Sequence, residues 1–298
     1  MRAGINSLTA ALVVGVLIGL ALTPDGRAWL GKPTLLLGGS ANASDSGPAV
    51  SPPPAAEPAK VVHVAPLKDR YAQTGALRIG VFGDSMADGL WAGLYRDLRG
   101  VDGVTVTKFS EVSTGLSRYD YVDIQAKTTR QLDENPLDVA VILFGTNDAQ
   151  GISMDGQIHQ FGTEGWKAAY ARRVDNLVAL LRSRGVAVYW VGLPKMKKAS
   201  FDGRMTLIND VVEARMKALG VPYIETLALT SNAEGEYEAY LSGADGRRQL
   251  MRANDGIHMS MAGYLRMSAP VAERLKLDAA IAPRAEAAPA PAPAAPAR

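Results

Sequence analysis

Residues 77–82 (LRIGVF) are apolar at every position but Arg78 and Gly80, and Gly83, Asp84 and Ser85 end the run at once. From residue 87 the spacing turns helical, with Leu90, Leu94 and Leu98 on one face. A run this apolar belongs in the middle of a parallel sheet covered on both faces. A strand that passes straight into a helix puts residue 85 at the carboxyl edge of the sheet. There the first backbone N–H groups of the helix are free to meet an anion. Ser85 in that place is a candidate nucleophile, and it also suits an ordinary helix N-cap.

The rest of the chain repeats the alternation. Further strands are predicted over 104–109, 139–144 (VAVILF), 186–191 and 221–225, and helices over 87–98, 121–132, 166–184, 205–219 and 261–275. Helix 166–184 sets Ala169, Val174, Leu177, Leu180 and Leu181 on one side. Strand–helix repetition predicts an α/β fold: three α/β/α layers around a five-stranded parallel sheet. Right-handed crossovers bring the strand ends to one rim. A flavodoxin-like order, 2-1-3-4-5, sets the first and third strands side by side and brings Ser85 near Asn147. The stretch 149–165 reads as a polar insertion. The long polar stretch 228–254 reads as a working loop region.

Three blocks lie at predicted strand ends or just before a helix: Gly83-Asp84-Ser85-Met86, Gly145-Thr146-Asn147-Asp148 and Asp255-Gly256-Ile257-His258. A fourth stretch, Ser113-Thr114-Gly115-Leu116, falls between them. In this order they resemble the SGNH (GDSL-type) hydrolase superfamily over residues 77–275, with Met86 where the family usually has Leu. The wording around Gly115 (TGLSRYDY) is similar to an extracytoplasmic, membrane-anchored branch of unassigned function.

A serine at neutral pH needs a base to attack. The histidines are His63, His159 and His258. His258 lies three residues after Asp255, close enough for the carboxylate to orient its ring, the logic of a Ser-His-acid triad. The resemblance implies Ser85, His258 and Asp255 as catalytic residues. It also implies an oxyanion hole from the Ser85 and Gly115 N–H groups and the Asn147 amide, donors worth about 3–4 kcal/mol each. Gly115 suits that role because lack of Cβ permits close approach and positive φ. Asp84 and Asp148 read as structural carboxylates that accept loop N–H groups. Lys195, Lys197, Lys198, Arg118 and Arg204 either meet an anionic substrate or stay solvated. Trp91, Tyr119 and Tyr121 either line a sugar cleft or pack. No cofactor or metal is needed for this chemistry.

Composition bounds the function class. The net charge of +2 lacks the basic excess of a nucleic-acid binder, and absence of cysteine excludes disulfides and thiol catalysis. Arg2 precedes an apolar stretch over 8–22, close to the ~17–20 residues that cross a bilayer. No cleavage site follows promptly, which favours an uncleaved signal anchor over a removed signal. Arg2 then keeps the amino terminus in the cytoplasm and the rest in the periplasm. The alternative is release to the periplasm after cleavage. The predicted organisation is an anchor over 1–23, a Pro/Ala/Ser/Gly-rich linker over 24–70, a hydrolase domain over 71–278 and an Ala/Pro-rich tail over 279–298. The expected reaction is hydrolysis of short O-acyl esters on a cell-envelope glycan through an acyl-serine. The alternatives are O-acyl transfer by the same triad and a non-catalytic glycan-binding module.

Overall fold

The computed structural model describes residues 64–282 except residue 244. The apolar stretch 8–22, His63, most of the expected linker and residues 283–298 lie outside the described residues. Among those described, no helix is long and apolar enough to cross a membrane.

Strands β1 (Leu77–Gly83), β2 (Val104–Lys108) and β3 (Val139–Leu143) come first. A hairpin follows, β4 (Ile152–Met154) and β5 (Gln157–His159), then β6 (Ala187–Val191), β7 (Tyr223–Ile224) and a second hairpin, β8 (Tyr240–Ser242) and β9 (Arg248–Leu250). The main sheet has the order β2-β1-β3-β6-β7, with every pairing parallel. Counting only its own strands this is the expected 2-1-3-4-5 order. β3 is buried at every residue, as its uninterrupted apolar text demands, and β1 at every residue but Arg78. Arg78 faces out and forks onto Asp138, with Nε and Nη2 each 2.9 Å from a carboxylate oxygen. β2 alternates because it is the edge strand.

The helices are α1 (Leu67–Thr74), α2 (Ser85–Leu98), α3 (Ile124–Glu134), α4 (Glu164–Ser183), α5 (Ala199–Leu219), α6 (Leu227–Thr230) and α7 (Met261–Asp278). α2 packs on α7, while α4 packs on both α3 and α5, which gives two helical layers about the sheet. Trp166, Tyr170 and Leu177 from α4 and Leu90 and Leu94 from α2 are fully buried. Each such large side chain contributes about 1.5–3 kcal/mol through burial. Side-chain oxygens of Asp84, Asp123, Thr163 and Ser260 cap α2, α3, α4 and α7.

Several boundaries differ from the sequence reading. α1 begins inside the stretch expected as linker, because Leu67 is buried and the Tyr71 hydroxyl donates to the Asp102 carbonyl at 2.9 Å. α3 starts at Ile124 rather than 121, where Asp123 supplies the cap. α5 starts at Ala199 rather than 205, and β7 keeps two residues of the expected five. The polar insertion contains the hairpin β4–β5, and the presumed loop region contains most of α6 and the hairpin β8–β9.

Candidate active site

The carboxyl ends of β1 and β3 lie side by side, with Gly83 opposite Leu143. Ser85 is the first residue of α2, half-buried, and its Oγ lies 2.8 Å from His258 Nε2. His258 Nδ1 lies 2.7 Å from Asp255 Oδ2. The other Asp255 oxygen accepts the backbone N–H groups of Ile257 and His258, each at 2.9 Å. Burial pushes the Asp255 carboxyl up, but the His258 ring and those two N–H groups outweigh it and hold the group down at about 2. An ionised carboxylate only accepts. Nδ1 is therefore the donor in that contact, which leaves Nε2 of a neutral ring to accept from the Ser85 hydroxyl.

The Gly115 loop closes the other side. Asn147 Nδ2 donates to the Thr114 carbonyl at 2.9 Å, which uses one amide hydrogen and leaves the second. Among the described residues, no acceptor takes the Gly115 N–H. Gly115 does not have the positive φ expected of it. Its requirement is space: a Cβ there would lie 2.2 Å from Asp148 Oδ1. The residue with positive φ in this loop is Ser113, at 64°.

A family model described as "Protein of unknown function (DUF459)" matches residues 78–274. The chain belongs to the DUF459 family. Among solved structures, this DUF459 domain is similar to a variant of an acetyl-xylooligosaccharide esterase from Geobacillus Stearmophilus. Identity is 15% and the TM-score 0.50, over 67% of this chain and 94% of the other. It is also similar to a GDSL-like lipase from Bacteroides thetaiotaomicron, at 14% identity and a TM-score of 0.47 over 70% of this chain and 97% of that one. A third is an alpha/beta hydrolase enzyme from the metagenome of Lake Arreo, Spain, at 14% identity and 0.49 over 69% and 96%. At these identities the likeness is one of fold alone. No curated protein matches the chain in sequence.

Two buried carboxylates brace the DUF459 site. Asp84 Oδ1 accepts Met86 N–H at 2.9 Å; Oδ2 accepts the N–H groups of Gly145 and Thr146 and the Thr146 hydroxyl at 2.6 Å. Asp148 Oδ1 accepts the Ser117 N–H and hydroxyl, both at 2.8 Å, and Oδ2 accepts the Tyr170 hydroxyl at 2.8 Å. One carboxylate thus ties the Ser85 turn to the Asn147 loop, and the other ties that loop to the Gly115 loop. Burial raises the Asp84 carboxyl to about 6, with hydrogen bonds from Thr146, Met86 and Gly145 opposing the rise and the Asp148 charge adding to it. Burial raises Asp148 too, and pushes the Tyr170 hydroxyl well above its ordinary value.

The Asp84 shift has a signed consequence. The folded chain binds this proton more tightly than the unfolded chain. Asp84 therefore adds stability as pH falls from about 6 towards 4, and that contribution is lost as pH rises through about 6. The difference in melting temperature between wild type and Asp84→Asn is expected to favour wild type more at about pH 5 than at about pH 7. The change amounts to about 1 kcal/mol. Melts at the two pH values in which wild type loses ground towards the acid side would contradict the raised carboxyl.

Other candidate residues are accounted for differently. His159 lies on β5 beside Gly165 and makes no bond to Ser85. The Trp91 indole N–H donates to the Val106 carbonyl at 3.2 Å, and Tyr119 lies under the Arg173 guanidinium, 3.6 Å from ring centroid to Cζ. Both are packing residues. Tyr121 is exposed, with Arg118 5.0 Å over its ring, and Arg118 Nη1 donates to the Ser113 carbonyl at 2.7 Å. Lys195 pairs with Asp202 at 3.0 Å.

Three supporting residues escaped the sequence reading. Arg173 donates to the carbonyls of Leu116 and Ser153, at 2.6 and 2.9 Å, and holds the Gly115 loop to β4. Tyr170 carried a signal, since a phenol at apolar spacing in a buried helix must find a partner. Arg252 is 1% exposed and donates to the carbonyls of Lys195, Gly256 and Ile257, the last at 2.9 Å. It clamps the turn that carries Asp255 and His258 against the loop after β6. Nothing in its neighbourhood in the sequence marks it.

Proposed function

We propose that this chain is a serine esterase that removes short O-acyl groups from a cell-envelope glycan through an acyl-Ser85 intermediate. The observation that carries the reading is the line of contacts from Ser85 Oγ to His258 Nε2 (2.8 Å) and from His258 Nδ1 to Asp255 (2.7 Å). Ser85 Oγ attacks the ester carbonyl carbon while His258 Nε2 takes its proton, and Asp255 stabilises the imidazolium that forms. The carbonyl oxygen becomes an oxyanion held by the N–H groups of Ser85 and Gly115 and the free amide hydrogen of Asn147. Collapse breaks the C–O bond to the sugar, and His258 returns the proton to the departing alkoxide. A water then attacks acyl-Ser85 with His258 again as base, and a second collapse releases the carboxylic acid and restores the Ser85 hydroxyl.

The substrate class draws support from the similar fold of an acetyl-xylooligosaccharide esterase and from the apolar stretch over 8–22. That stretch, led by Arg2, is proposed to hold the chain in the inner membrane with the hydrolase domain in the periplasm. A fluorophosphonate probe tests the nucleophile. Wild type is expected to become labelled and Ser85→Ala to remain unlabelled, read by intact mass. Labelling that persists in Ser85→Ala would move the nucleophile elsewhere; absence of labelling in wild type would favour a binding module.

A further inference from the structure

Beside the triad lies a cavity of about 370 Å³ lined by Lys197, Lys198, Ser200, Phe201, Arg204 and the turn Asp255-Gly256-Ile257. Among the described residues, neither the Lys197 nor the Lys198 amine pairs with a carboxylate. Arg204 donates to the Ala149 carbonyl at 3.4 Å and lies 5.8 Å from the Phe161 ring, with no acid partner among the described residues. Some cations elsewhere on the domain are matched, as Lys108 is by Asp88 at 2.8 Å and Arg215 by Asp175 at 2.8 Å, whereas here three unmatched ones line a single cavity. The acids closest to this cavity are already committed. Asp202 accepts Lys195 Nζ at 3.0 Å and Met196 N–H at 2.7 Å, and Asp255 is taken by His258 and two backbone N–H groups. What remains is an excess of cations on a concave, solvent-exposed wall, Lys197, Lys198 and Arg204 against the carboxylate of Asp255, and such a wall favours an anion.

The cavity is fixed relative to the triad. Lys197 N–H donates to the Gly256 carbonyl at 3.1 Å, and the Lys197 stem lies so close that a Cβ on Gly256 would fall 2.4 Å from Lys197 Cβ. Arg252 joins the same two loops from beneath. From Ser85 Oγ the cavity is reached across two hydrogen bonds and one imidazole ring.

We propose that this cavity binds an anionic group, a carboxylate or a phosphate, carried by the sugar part of the ester, so that the substrate class is an acylated acidic glycan. The proposal rests on the esterase reading above. The test uses the full-length chain, wild type against Lys197→Gln/Lys198→Gln/Arg204→Gln, with Lys197→Arg/Lys198→Arg as a charge-preserving control. Calorimetric titration with trigalacturonate, inorganic phosphate and neutral xylotriose reads binding directly and separates a carboxylate site from a phosphate site. Wild type is expected to bind at least one of the two anions on the order of tenfold more tightly than xylotriose. The Gln variant is expected to lose that margin and the Arg variant to keep it. In kinetics, the ratio of kcat/KM for acetylated trigalacturonate over acetylated xylotriose is expected to fall about tenfold in the Gln variant, and to shrink with added salt. A wild type that binds neither anion better than xylotriose, or a Gln variant that keeps the margin, overturns the subsite and leaves the esterase reading standing. If neither ester is hydrolysed and Ser85 takes no label, the esterase reading fails, while the titrations still judge the cavity.

Discussion

Ser85→Ala and His258→Ala are each expected to lower kcat/KM for 4-nitrophenyl acetate by about a thousandfold or more, the scale on which residues acting as one unit fail when any is removed. The two losses should be of similar size and should not multiply in the double variant. Without the hydroxyl there is no acyl-enzyme; without the imidazole the hydroxyl keeps its proton. The residue left over, in either case, is whatever the donors around Gly115 and Asn147 do for a water attacking directly. Both side chains are half-buried at most and neither fills the core, so melting temperatures are expected to stay within a few degrees of wild type. Steady-state rates of the two single variants and the double variant check this. Losses below tenfold, or losses that multiply, would mean that Ser85 and His258 do not act on the same proton.

The second large effect is on stability. Gly83→Ala is expected to leave the chain unfolded or to cost at least about 4 kcal/mol, against a total of about 5–15 kcal/mol for a domain. Gly83 has φ of 149°, and a Cβ there would meet the Leu143 carbonyl oxygen at 2.0 Å and Ala87 Cβ at 2.5 Å. Relief requires β1 to part from β3, the central strand, or α2 to lift from the sheet. Gly115→Ala makes the control. Its φ is ordinary and its obstacle is the end of the Asp148 side chain, so the cost is expected to be smaller, about 1–3 kcal/mol for disturbing a buried acceptor. Denaturant melts of the two variants give the comparison. A Gly83→Ala protein as stable as Gly115→Ala would show that the seam between β1 and β3 is looser than described.

The same contacts explain what could be read from the chain and what could not. β1 and β3 were legible because a strand buried on both faces must be apolar nearly throughout, and five strand-like runs separated by helical spacing leave few topologies. The hairpins β4–β5 and β8–β9 were not, since three residues per strand are too few for alternation to show. Ser85, Asn147, Asp255 and His258 stood out because each lies within two residues of a glycine, just after a strand or just before a helix. The reason for Gly115 could not be read, because it depends on Asp148, which is 33 residues further on and packs against it only in the fold. Arg252 was invisible for a related cause: its partners are main-chain carbonyls, and carbonyls leave no trace in the text of a sequence.

That buried guanidinium has one more implication. By gripping the Lys195 carbonyl with one nitrogen and Ile257 with another, Arg252 makes the segment after β6 and the segment before α7 a single rigid unit. An insertion or deletion in either one would tilt the imidazole as well as reshape the neighbouring wall. In descendants of this chain, a remodelled cavity wall and a retuned histidine would then have to arrive together.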